Sequence, residues 1–550
     1  MTMRGGTMKK SMLKAFVLIT GLWLIVFQVP GISYTASAPP PYLSTGFPQV
    51  VVVSGTNYEM GFQYGVQTAA ATYHNVALLK TRLNNAYGEA TVTKDMKVWD
   101  YYINKHDPGL VDWIKGIAAG CKKMKLKVNY LDLVALMVYP TELWSRPTAP
   151  YPPEARVQTR KKGATPASPE VGAAFHSCNS FAANGSATPD GKTIHGITSM
   201  VSTEAMDNII LIAFPKEGSS FVSQTYAGRV NGNAAMNGDG FAWTMTAILS
   251  DQPVWGLTEV YFHYLAQITK SPAEAEAYLK STPRGGVAGG FIMTDKSGNI
   301  SVFECNADHY VQRGPGDEGE PGPFVVQTNH LVDPSLHPYN PFWLQFIGTY
   351  TRYDTVFQFL KEADPNSVDF SFARKMFASD DWYDAAAQQW HYNEPGAPGI
   401  SNDRTSVSQS IFFPADLTAY LQTGTPSGNG LPAYATGEYV KIKLAQDPKT
   451  VTYQADADAL DFYWDAISLF EHDLNANASY LTPSLAQIVQ ENLDEAFSAY
   501  SLGMDRAAFG ELETDGDEQL ALYSEALTYY AKAQLYSQMA KTLLLRASGQ

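Results

Sequence analysis

Cysteine is scarce in this sequence, which has only Cys121, Cys178 and Cys305 among 550 residues. A disulfide framework is therefore excluded as the main support of the fold, because disulfide-stabilised domains use many more cysteines. Cys121 and Cys305 fit two interpretations: buried free thiols, or one disulfide formed in an oxidising compartment. Cys178 needs its own explanation, because it follows a segment rich in proline and charge and opens a strand-like stretch.

Positive charge is also in short supply. Lysine and arginine together number 39 against 54 aspartate and glutamate residues, which gives a formal net charge of −15. Nucleic acids and anionic lipid surfaces are themselves negative and repel such a protein. We therefore expect no nucleic-acid partner.

Long apolar runs are missing except near the start of the sequence. Residues 15–27, AFVLITGLWLIVF, follow four cations and precede the small residues ASA at 36–38. This order is typical of a secretory signal peptide, and the run is short for a membrane span. We predict a signal peptide over 1–38 and export to the periplasm or the extracellular space. The mature chain should then have no stable membrane span, and a signal-anchored form is the alternative.

Motifs for metal and nucleotide chemistry are missing as well. The ten histidines are scattered, and there is no HExxH, CxxC, P-loop, GxSxG or strand-linked GxGxxG. The acidic stretch ETDGDE at 513–518 has the wrong spacing for an EF-hand loop. We therefore expect no metal ion and no other cofactor.

What the sequence does contain is a succession of differently patterned segments. Residues 57–144 have apolar residues at helical spacing, and residues 145–174 have no apolar period and predict a mobile linker. Short β-type runs follow, with a helix predicted at 257–280 and a hairpin turn at 295–299. Helical patterns return over about 455–550.

These patterns predict five segments. In chain order they are a signal peptide (1–38), a helical N-terminal pro-segment (39–144), a mobile linker (145–177), an α+β core (178–450) and a helical extension (451–550). The alternation of strands and helices in the fourth segment indicates sheets that are covered by helices.

Cys178 stands where the predicted linker meets the first strand, in the stretch HSCNSFAANGSATPDGKTIHG. One interpretation is a small buried residue in a strand. The other is a self-made N-terminal nucleophile: the thiol attacks the carbonyl of Ser177, the thioester hydrolyses, and Cys178 becomes a chain terminus. Its free α-amine, whose ordinary pKa is about 7.7–8.0, can then act as general base beside the thiol.

Six motifs in order resemble the acyl-CoA:6-aminopenicillanic-acid acyltransferase-like (C45 peptidase) family of N-terminal nucleophile (Ntn) hydrolases. They are GTNYEMGFQYG (55–65), WIKGIAAGCKKMKLKVNYLDLVALMVY (113–139), CNSFAANGSATPDGKTIHG (178–196), YAGRVNGNAAMNGDGFAWTMTAIL (226–249), VVQTNHL (325–331) and TSVSQSIFFP (405–414). The resemblance implies an α+β fold, the αββα four-layer sandwich, and self-cleavage between Ser177 and Cys178. The implied partners are a small acyl amide or ester substrate and, after cleavage, the chain's own small N-terminal piece in an αβ heterodimer.

The resemblance also implies site residues. Cys178 is the nucleophile, Asn329 matches the oxyanion asparagine of the family, and Asn237 matches a second one in related enzymes. Each asparagine has a structural alternative: Asn237 in a hairpin turn and Asn329 as a helix cap. Arg229 and Arg404 are candidates to bind a substrate carboxylate, and the alternative for both is a solvent-exposed arginine.

The sequence departs from the family on the second strand. Relatives carry Arg-Asn-x-Asp there to orient the nucleophile, and this chain has Ile197-Thr198-Ser199-Met200. The hydroxyls of Thr198 and Ser199 are candidates to orient the α-amine instead. The segment HGITSM is closer to a strand of phospholipase B-like proteins, which are also Ntn hydrolases. Three functions stay open: an amidohydrolase or acyltransferase, a phospholipase B-like lipid deacylase, and an inactive Ntn-fold binding or scaffold protein.

Overall fold

The structure is a computed structural model of the chain. It describes residues 47–138, 147, 149–155, 177–200, 208–248, 254–257, 264–285, 288–317, 320, 322–340, 348–379, 381–392, 406–423 and 438–549. The predicted signal peptide, most of the predicted linker and Arg404 lie outside these residues. Among the helices of the described ranges, none has the length and apolar character needed to cross a bilayer.

Sixteen strands lie in the described ranges. In chain order they are β1 (Gln49–Gly55), β2 (Ser177–Ala183), β3 (Ile194–Met200), β4 (Asn208–Pro215), β5 (Phe221–Tyr226), β6 (Ala234–Asn237), β7 (Phe241–Ile248), β8 (Ala288–Asp295), β9 (Ile300–Cys305), β10 (Tyr310–Arg313), β11 (Phe324–Gln327), β12 (Trp382–Asp384), β13 (Gln389–His391), β14 (Ser406–Phe413), β15 (Thr418–Thr423) and β16 (Val440–Lys443). Eight form a sheet in the order β1-β4-β5-β6-β7-β8-β9-β10, and six form a second in the order β11-β2-β3-β14-β15-β16. β1 pairs with β4 in parallel, and the other neighbours in these sheets are antiparallel.

Twelve α-helices lie in the same ranges. They are α1 (Asn57–Gln67), α2 (Ala69–Tyr87), α3 (Glu89–His106), α4 (Pro108–Lys123), α5 (Tyr130–Val138), α6 (Leu265–Ile268), α7 (Pro272–Ser281), α8 (Thr349–Lys361), α9 (Phe370–Phe377), α10 (Pro448–Asn475), α11 (Pro483–Leu512) and α12 (Gly516–Ser548).

The two sheets pack face to face with helices on both outer faces. On β1, Val50 and Val52 pack towards Cys178 and the smaller sheet, while Val51 and Val53 pack against α1–α5. This alternation follows from the two-residue period of a strand, and burial on both faces explains the unbroken apolar run. The outer face of the smaller sheet packs on α8 and α9 through apolar side chains such as Phe181. The predicted α+β fold and αββα sandwich are confirmed.

The N-terminal segment is part of this sandwich. Besides the predicted helices it provides β1, the edge strand of the larger sheet, which the helical prediction for 39–144 missed. Helix α1 crosses α4 so closely that a Cβ atom on Gly61 would collide with the backbone of Trp113, and one on Gly65 with that of Ile117. The two glycines spaced four apart are therefore explained by close helix packing.

Two local predictions have different outcomes. The hairpin turn at 295–299 is confirmed, and Asp295 Oδ1 accepts hydrogen bonds from the backbone of Ser297 (2.8 Å) and Asn299 (3.1 Å). The continuous helix predicted over 257–280 is wrong, because α6 ends at Ile268 and α7 begins at Pro272. Proline cannot continue a helix from the preceding turn, but it suits the first position of a new one.

Cys121 and Cys305 do not form a disulfide, and both side chains are buried in the core beneath α1–α5. Of the two interpretations left open for this pair, the buried thiols are correct. Burial raises the pKa of the Cys121 thiol to about 12, which keeps it protonated and unreactive.

Helix α12 covers the free edge of the larger sheet. Ser524 Oγ accepts a hydrogen bond from the backbone N–H of Val52 (2.8 Å), and Thr528 Oγ1 accepts one from that of Val50 (3.0 Å). Thr528 also donates to the carbonyl of Val50 (3.2 Å). Since residues four apart share one face of a helix, two side chains serve as the missing neighbour strand.

The same helix covers the edge of the smaller sheet, ten residues further along. Gln534 Oε1 accepts from the N–H of Lys441 on β16 (2.8 Å), and Gln538 Nε2 donates to the carbonyl of Tyr439 (2.7 Å). The predicted extension 451–550 therefore packs on the core through this helix. Its last helix joins the two sheets along one side, and core and extension form one compact unit.

We predict that Ser524→Ala lowers the free energy of unfolding by roughly 1–3 kcal/mol, because it leaves the buried N–H of Val52 without an acceptor. Denaturant unfolding of the full chain measures the loss. Ser501→Ala is the control, since the described hydrogen bond of that partly exposed hydroxyl goes back to Phe497 of its own helix (2.9 Å). Equal losses in the two variants would contradict the role given to α12.

Candidate active site

Cys178 lies near the start of β2, with its side chain in the core between the two sheets. It is fully buried in this uncleaved chain. The neighbours of β2 in the sheet are β11 on one side and β3 on the other, and Ser199 on β3 is paired with Cys178. The predicted nucleophile thus sits on a strand that is fixed on both edges.

Arg352, in the first turn of α8, ties the backbone of Cys178 to Asn329. The N–H of Cys178 donates to Asn329 Oδ1 (2.7 Å), and Arg352 Nη2 donates to the same oxygen (2.9 Å). Arg352 Nη1 donates to the carbonyl of Cys178 (2.9 Å) and to Asn179 Oδ1 (2.5 Å). Since Arg352 is 2% exposed, its charge acts at short range and with little screening.

The amide of Asn329 is held from its other side as well. Its Nδ2 donates to the carbonyl of Ala247 (2.7 Å), and its backbone N–H donates to Thr349 Oγ1 (2.8 Å). Both Asn329 and Thr349 are buried. The predicted oxyanion asparagine is therefore next to Cys178 in a fixed orientation, and its backbone pairs with the start of α8.

Asn233 is the side chain that faces the sulfur. Its Nδ2 lies 3.7 Å from Cys178 Sγ, and its own carbonyl accepts from the N–H of Met245 on β7 (2.8 Å). Sequence reasoning singled out the motif that contains this residue but selected a different asparagine within it.

Asn237, four residues further on at the end of β6, has a different role. Its Nδ2 donates to the carbonyls of Ala266 (3.0 Å) and Thr269 (2.7 Å). Its Oδ1 accepts from the N–H groups of Asp239 (3.1 Å) and Phe241 (3.0 Å). Both amide hydrogens are thus used within the fold, and these contacts match the hairpin-turn alternative. The structure does not bring Asn237 to Cys178.

The two hydroxyl residues predicted to replace the orienting carboxylate lie on different faces of β3. In an antiparallel pair, directly opposite residues share one face of the sheet. Ser199 is paired with Cys178 and lies on the same face of the sheet, whereas Thr198 is paired with Asn179 and lies on the opposite face. Of the two hydroxyl residues, Ser199 is therefore the better placed to orient Cys178. Ser177 pairs through its backbone with Met200 at the start of β2.

Arg229 is buried rather than solvent-exposed, at 2% exposure. Its guanidinium carbon lies 5.5 Å from the centre of the Tyr226 ring, and its carbonyl accepts from the Tyr64 hydroxyl (3.1 Å). The exposed-arginine alternative is wrong for this residue. The other candidate, Arg404, lies outside the described residues.

Two buried histidines near the site are neutral at ordinary pH. Burial lowers the pKa of His195 to about 3, and its ring bonds to the hydroxyls of Thr294 (3.0 Å) and Thr244 (2.8 Å). Burial, followed by the charge of Arg352, lowers the pKa of His330 to about 3. The imidazoles therefore serve as hydrogen-bonding groups in the core.

Sequence reasoning missed Arg352 and Thr349 entirely. They follow Cys178 by more than 170 residues, and no motif spacing relates them to it. Arginine and threonine are common in helices and mostly exposed, so no signal in the sequence distinguished these two residues.

A comparison with protein families bears on this geometry. Residues 188–381 match the family model described as acyl-coenzyme A:6-aminopenicillanic acid acyl-transferase. The predicted resemblance to that family is confirmed. The match covers about a third of the chain; it includes Asn233, Asn329 and Arg352 and begins after Cys178. It supports an Ntn-type enzyme that hydrolyses or transfers an acyl group.

Solved structures with some similarity include three enzymes. They are a Caenorhabditis elegans N-acylethanolamine-hydrolyzing acid amidase orthologue (15% identity, 43% of this chain and 93% of that one, TM-score 0.30), penicillin V acylase from Agrobacterium tumefaciens (18%, 49% and 92%, 0.30) and a mutant conjugated bile acid hydrolase from Clostridium perfringens (11%, 49% and 97%, 0.28). Similarity at this level is too low to carry a functional argument. Curated protein sequences give no significant match.

We predict that the free energy of unfolding decreases as the pH is lowered from about 6.5 to about 3. In this range His195 takes up a proton in the unfolded chain but not when it is buried in the folded chain. In His195→Gln the slope of unfolding free energy against pH should shrink by about 1.4 kcal/mol per pH unit within this window. Urea unfolding at several pH values measures it. An unchanged slope in His195→Gln would contradict the prediction.

Proposed function

We propose that this protein is an exported Ntn acyl hydrolase or acyltransferase that activates itself by cleaving the bond between Ser177 and Cys178. The observation that carries the proposal is the contact between the N–H of Cys178 and Asn329 Oδ1. That nitrogen becomes the α-amine after cleavage, so the future general base is already oriented in the uncleaved chain. After cleavage, this amine accepts the proton of the adjacent thiol and leaves the sulfur as a thiolate that can attack.

The maturation step is an N-to-S acyl shift followed by hydrolysis. The sulfur of Cys178 bonds to the carbonyl carbon of Ser177, the C–N bond breaks, and the nitrogen takes up the thiol proton. Water then attacks the thioester carbon and the C–S bond breaks, which leaves a carboxylate on Ser177 and restores the thiol. The hydrogen bond from Arg352 to the carbonyl of Cys178 keeps the nucleophile's own backbone in place during these steps.

Turnover repeats this chemistry on a substrate. The α-amine accepts the thiol proton, the sulfur attacks the acyl carbonyl, and the leaving group receives the proton. Hydrolysis of the thioester by water gives a hydrolase, and its capture by an amine gives an acyltransferase. The family match, which names transfer of an acyl group to an amine, supports acyl amide chemistry over the phospholipase B-like alternative.

Two asparagines are suited to stabilise the oxyanion. Asn233 Nδ2 lies 3.7 Å from the sulfur, and an oxyanion forms one atom beyond the carbon that the sulfur attacks. Asn329 Nδ2 carries two hydrogens, of which one goes to Ala247, and Arg352 polarises this amide by donating to its oxygen. Ser199 stands beside Cys178 as the candidate that orients the α-amine in place of a carboxylate.

The two pieces should stay together after cleavage. Seven residue pairs join β1 of the small piece to β4 of the large piece, and α12 bonds to the outer edge of β1. These contacts support an αβ heterodimer. Removal of 1–38 and cleavage after Ser177 leave residues 39–177 and 178–550, roughly 15 and 41 kDa in proportion to the 60.2 kDa chain.

We predict that purified wild-type protein shows these two pieces on a denaturing gel and one co-eluting species in native size-exclusion chromatography. The large piece should begin Cys-Asn-Ser-Phe. Cys178→Ala should stay uncut and inactive, because the attacking atom is gone. Cys178→Ser should be cut slowly, because a hydroxyl has a much higher pKa and is a poorer nucleophile.

Cys121→Ala is the matched control, because it removes another buried free thiol outside the site. It should be cut like the wild type. Cleavage after Ser177 in Cys178→Ala, or a single intact chain in active wild-type material, would rule the proposal out.

We predict that Asn329→Ala and Asn233→Ala each lower kcat by roughly 10²–10³, the usual cost of removing one oxyanion donor. Asn237→Ala should lower stability and leave kcat within about tenfold, since its amide holds a turn. Steady-state hydrolysis of N-acyl-p-nitroanilides measures the three. If Asn237→Ala were the most damaging of them, the choice of Asn233 would be wrong.

A further inference from the structure

We infer that Glu304, Arg313 and Gln327 are positioning residues that hold Asn329 against Cys178. The inference rests on the proposed function for its catalytic consequence. The three side chains come from β9, β10 and β11, and each is at most 5% exposed. Among their described hydrogen bonds, none goes to a side chain of the active site; they reach it through the backbone on either side of Asn329.

Glu304 holds the chain after Asn329. Its Oε2 accepts from the N–H groups of Val332 (2.9 Å) and Asp333 (3.0 Å). Its Oε1 accepts from Arg313 Nε (2.8 Å). A single buried carboxylate therefore connects the segment 328–333 to the guanidinium.

Gln327 holds the residues immediately before and after Asn329. Its Nε2 donates to the carbonyls of Thr328 (3.1 Å) and His330 (2.8 Å). Its Oε1 accepts from Arg313 Nη2 (2.6 Å), and this bond orients the amide so that its nitrogen faces the segment 328–333. With the two neighbouring carbonyls fixed, the backbone of Asn329 has little freedom to rotate.

Arg313 links the other two, and each of its three nitrogens donates at least one hydrogen bond. Nη2 also donates to the carbonyl of Val326 (2.7 Å), and Nη1 donates to the buried Glu320. The charges of Glu304 and Glu320 raise the pKa of Arg313 despite its burial, so the guanidinium stays charged. Charged hydrogen bonds in a low-dielectric core are short and directional, which apolar packing is not.

The strand beside β9 leaves room for this arrangement. Gly290 on β8 is paired with Glu304, and a Cβ atom at Gly290 would collide with the side chain of Gln327. The side-chain amide of Gln327 therefore packs directly against the backbone of Gly290, where any larger residue would displace it. Together, three side chains fix the backbone at residues 326, 328, 330, 332 and 333, around Asn329.

Glu304→Gln tests the inference with almost no change in volume. A carboxamide has one acceptor oxygen, so it cannot accept from Arg313 and from the two backbone N–H groups at once. We expect the segment 328–333 to shift and kcat for N-acyl-p-nitroanilides to fall roughly 10- to 100-fold, as small misplacements of catalytic groups do. KM should stay within about twofold, because Asn329, the donor that this segment carries, acts in the proposed function on the reacting carbonyl and not on the rest of the substrate.

Glu276→Gln is the matched control. Glu276 is a buried carboxylate on α7 that accepts from Ser301 Oγ on β9 (2.5 Å), and it makes none of the described contacts to residues 326–333. It should lose comparable stability while kcat stays near the wild-type value. Hydrogen exchange of a peptide covering 328–333, followed by mass spectrometry, should accelerate in Glu304→Gln and not in Glu276→Gln.

The outcomes separate the two proposals. If the wild-type protein neither cleaves itself nor turns over any substrate, the proposed function fails, and the exchange measurement still decides whether Glu304 holds the segment. If the wild type is active and Glu304→Gln keeps its kcat or its exchange rate, the inference is overturned. Equal loss of kcat in Glu304→Gln and Glu276→Gln would also overturn it, since the effect would then be general destabilisation.

Discussion

The buried guanidinium of Arg352 is the interaction on which the candidate site depends. A charge removed from water must be matched by fixed polar groups, and here they are the carbonyl of Cys178 and the amide oxygens of Asn179 and Asn329. This requirement brings together a strand, the segment after β11 and the start of α8. The cation therefore holds three distant stretches of chain together at Cys178.

Much of the fold was predictable because it depends on local patterns. Strand-length apolar runs, the turn at 295–299 and the helical C-terminal part all follow from residue periodicity and turn chemistry. Cys178 and Asn329 were found through motifs carried by single segments. Their proximity follows from the pairing of β11 with β2, which the structure shows and no sequence motif gave.

The remaining features depend on contacts between distant segments, which periodicity does not encode. β1 was missed because its partner β4 lies some 160 residues later. Asn237 was chosen over Asn233 because the motif contains both asparagines and does not show which one lies near Cys178. That depends on the direction of β6 in the sheet, which brings Asn233 to the sulfur and Asn237 to the carbonyl of Ala266. Arg352 has no local signature. In each case the three-dimensional path of the chain, rather than the residue's immediate neighbours, determines the role.

Because α12 covers one edge of each sheet, these edges stay uncovered until α12 has been synthesised. The partners of Val50 and Val52 lie 478 and 472 residues further along the chain. A nascent chain thus carries an uncovered β1 edge until residues 524–528 have been synthesised. Contacts of such separation form slowly, and an unpaired strand edge can pair with another chain, so this interval exposes β1 to self-association.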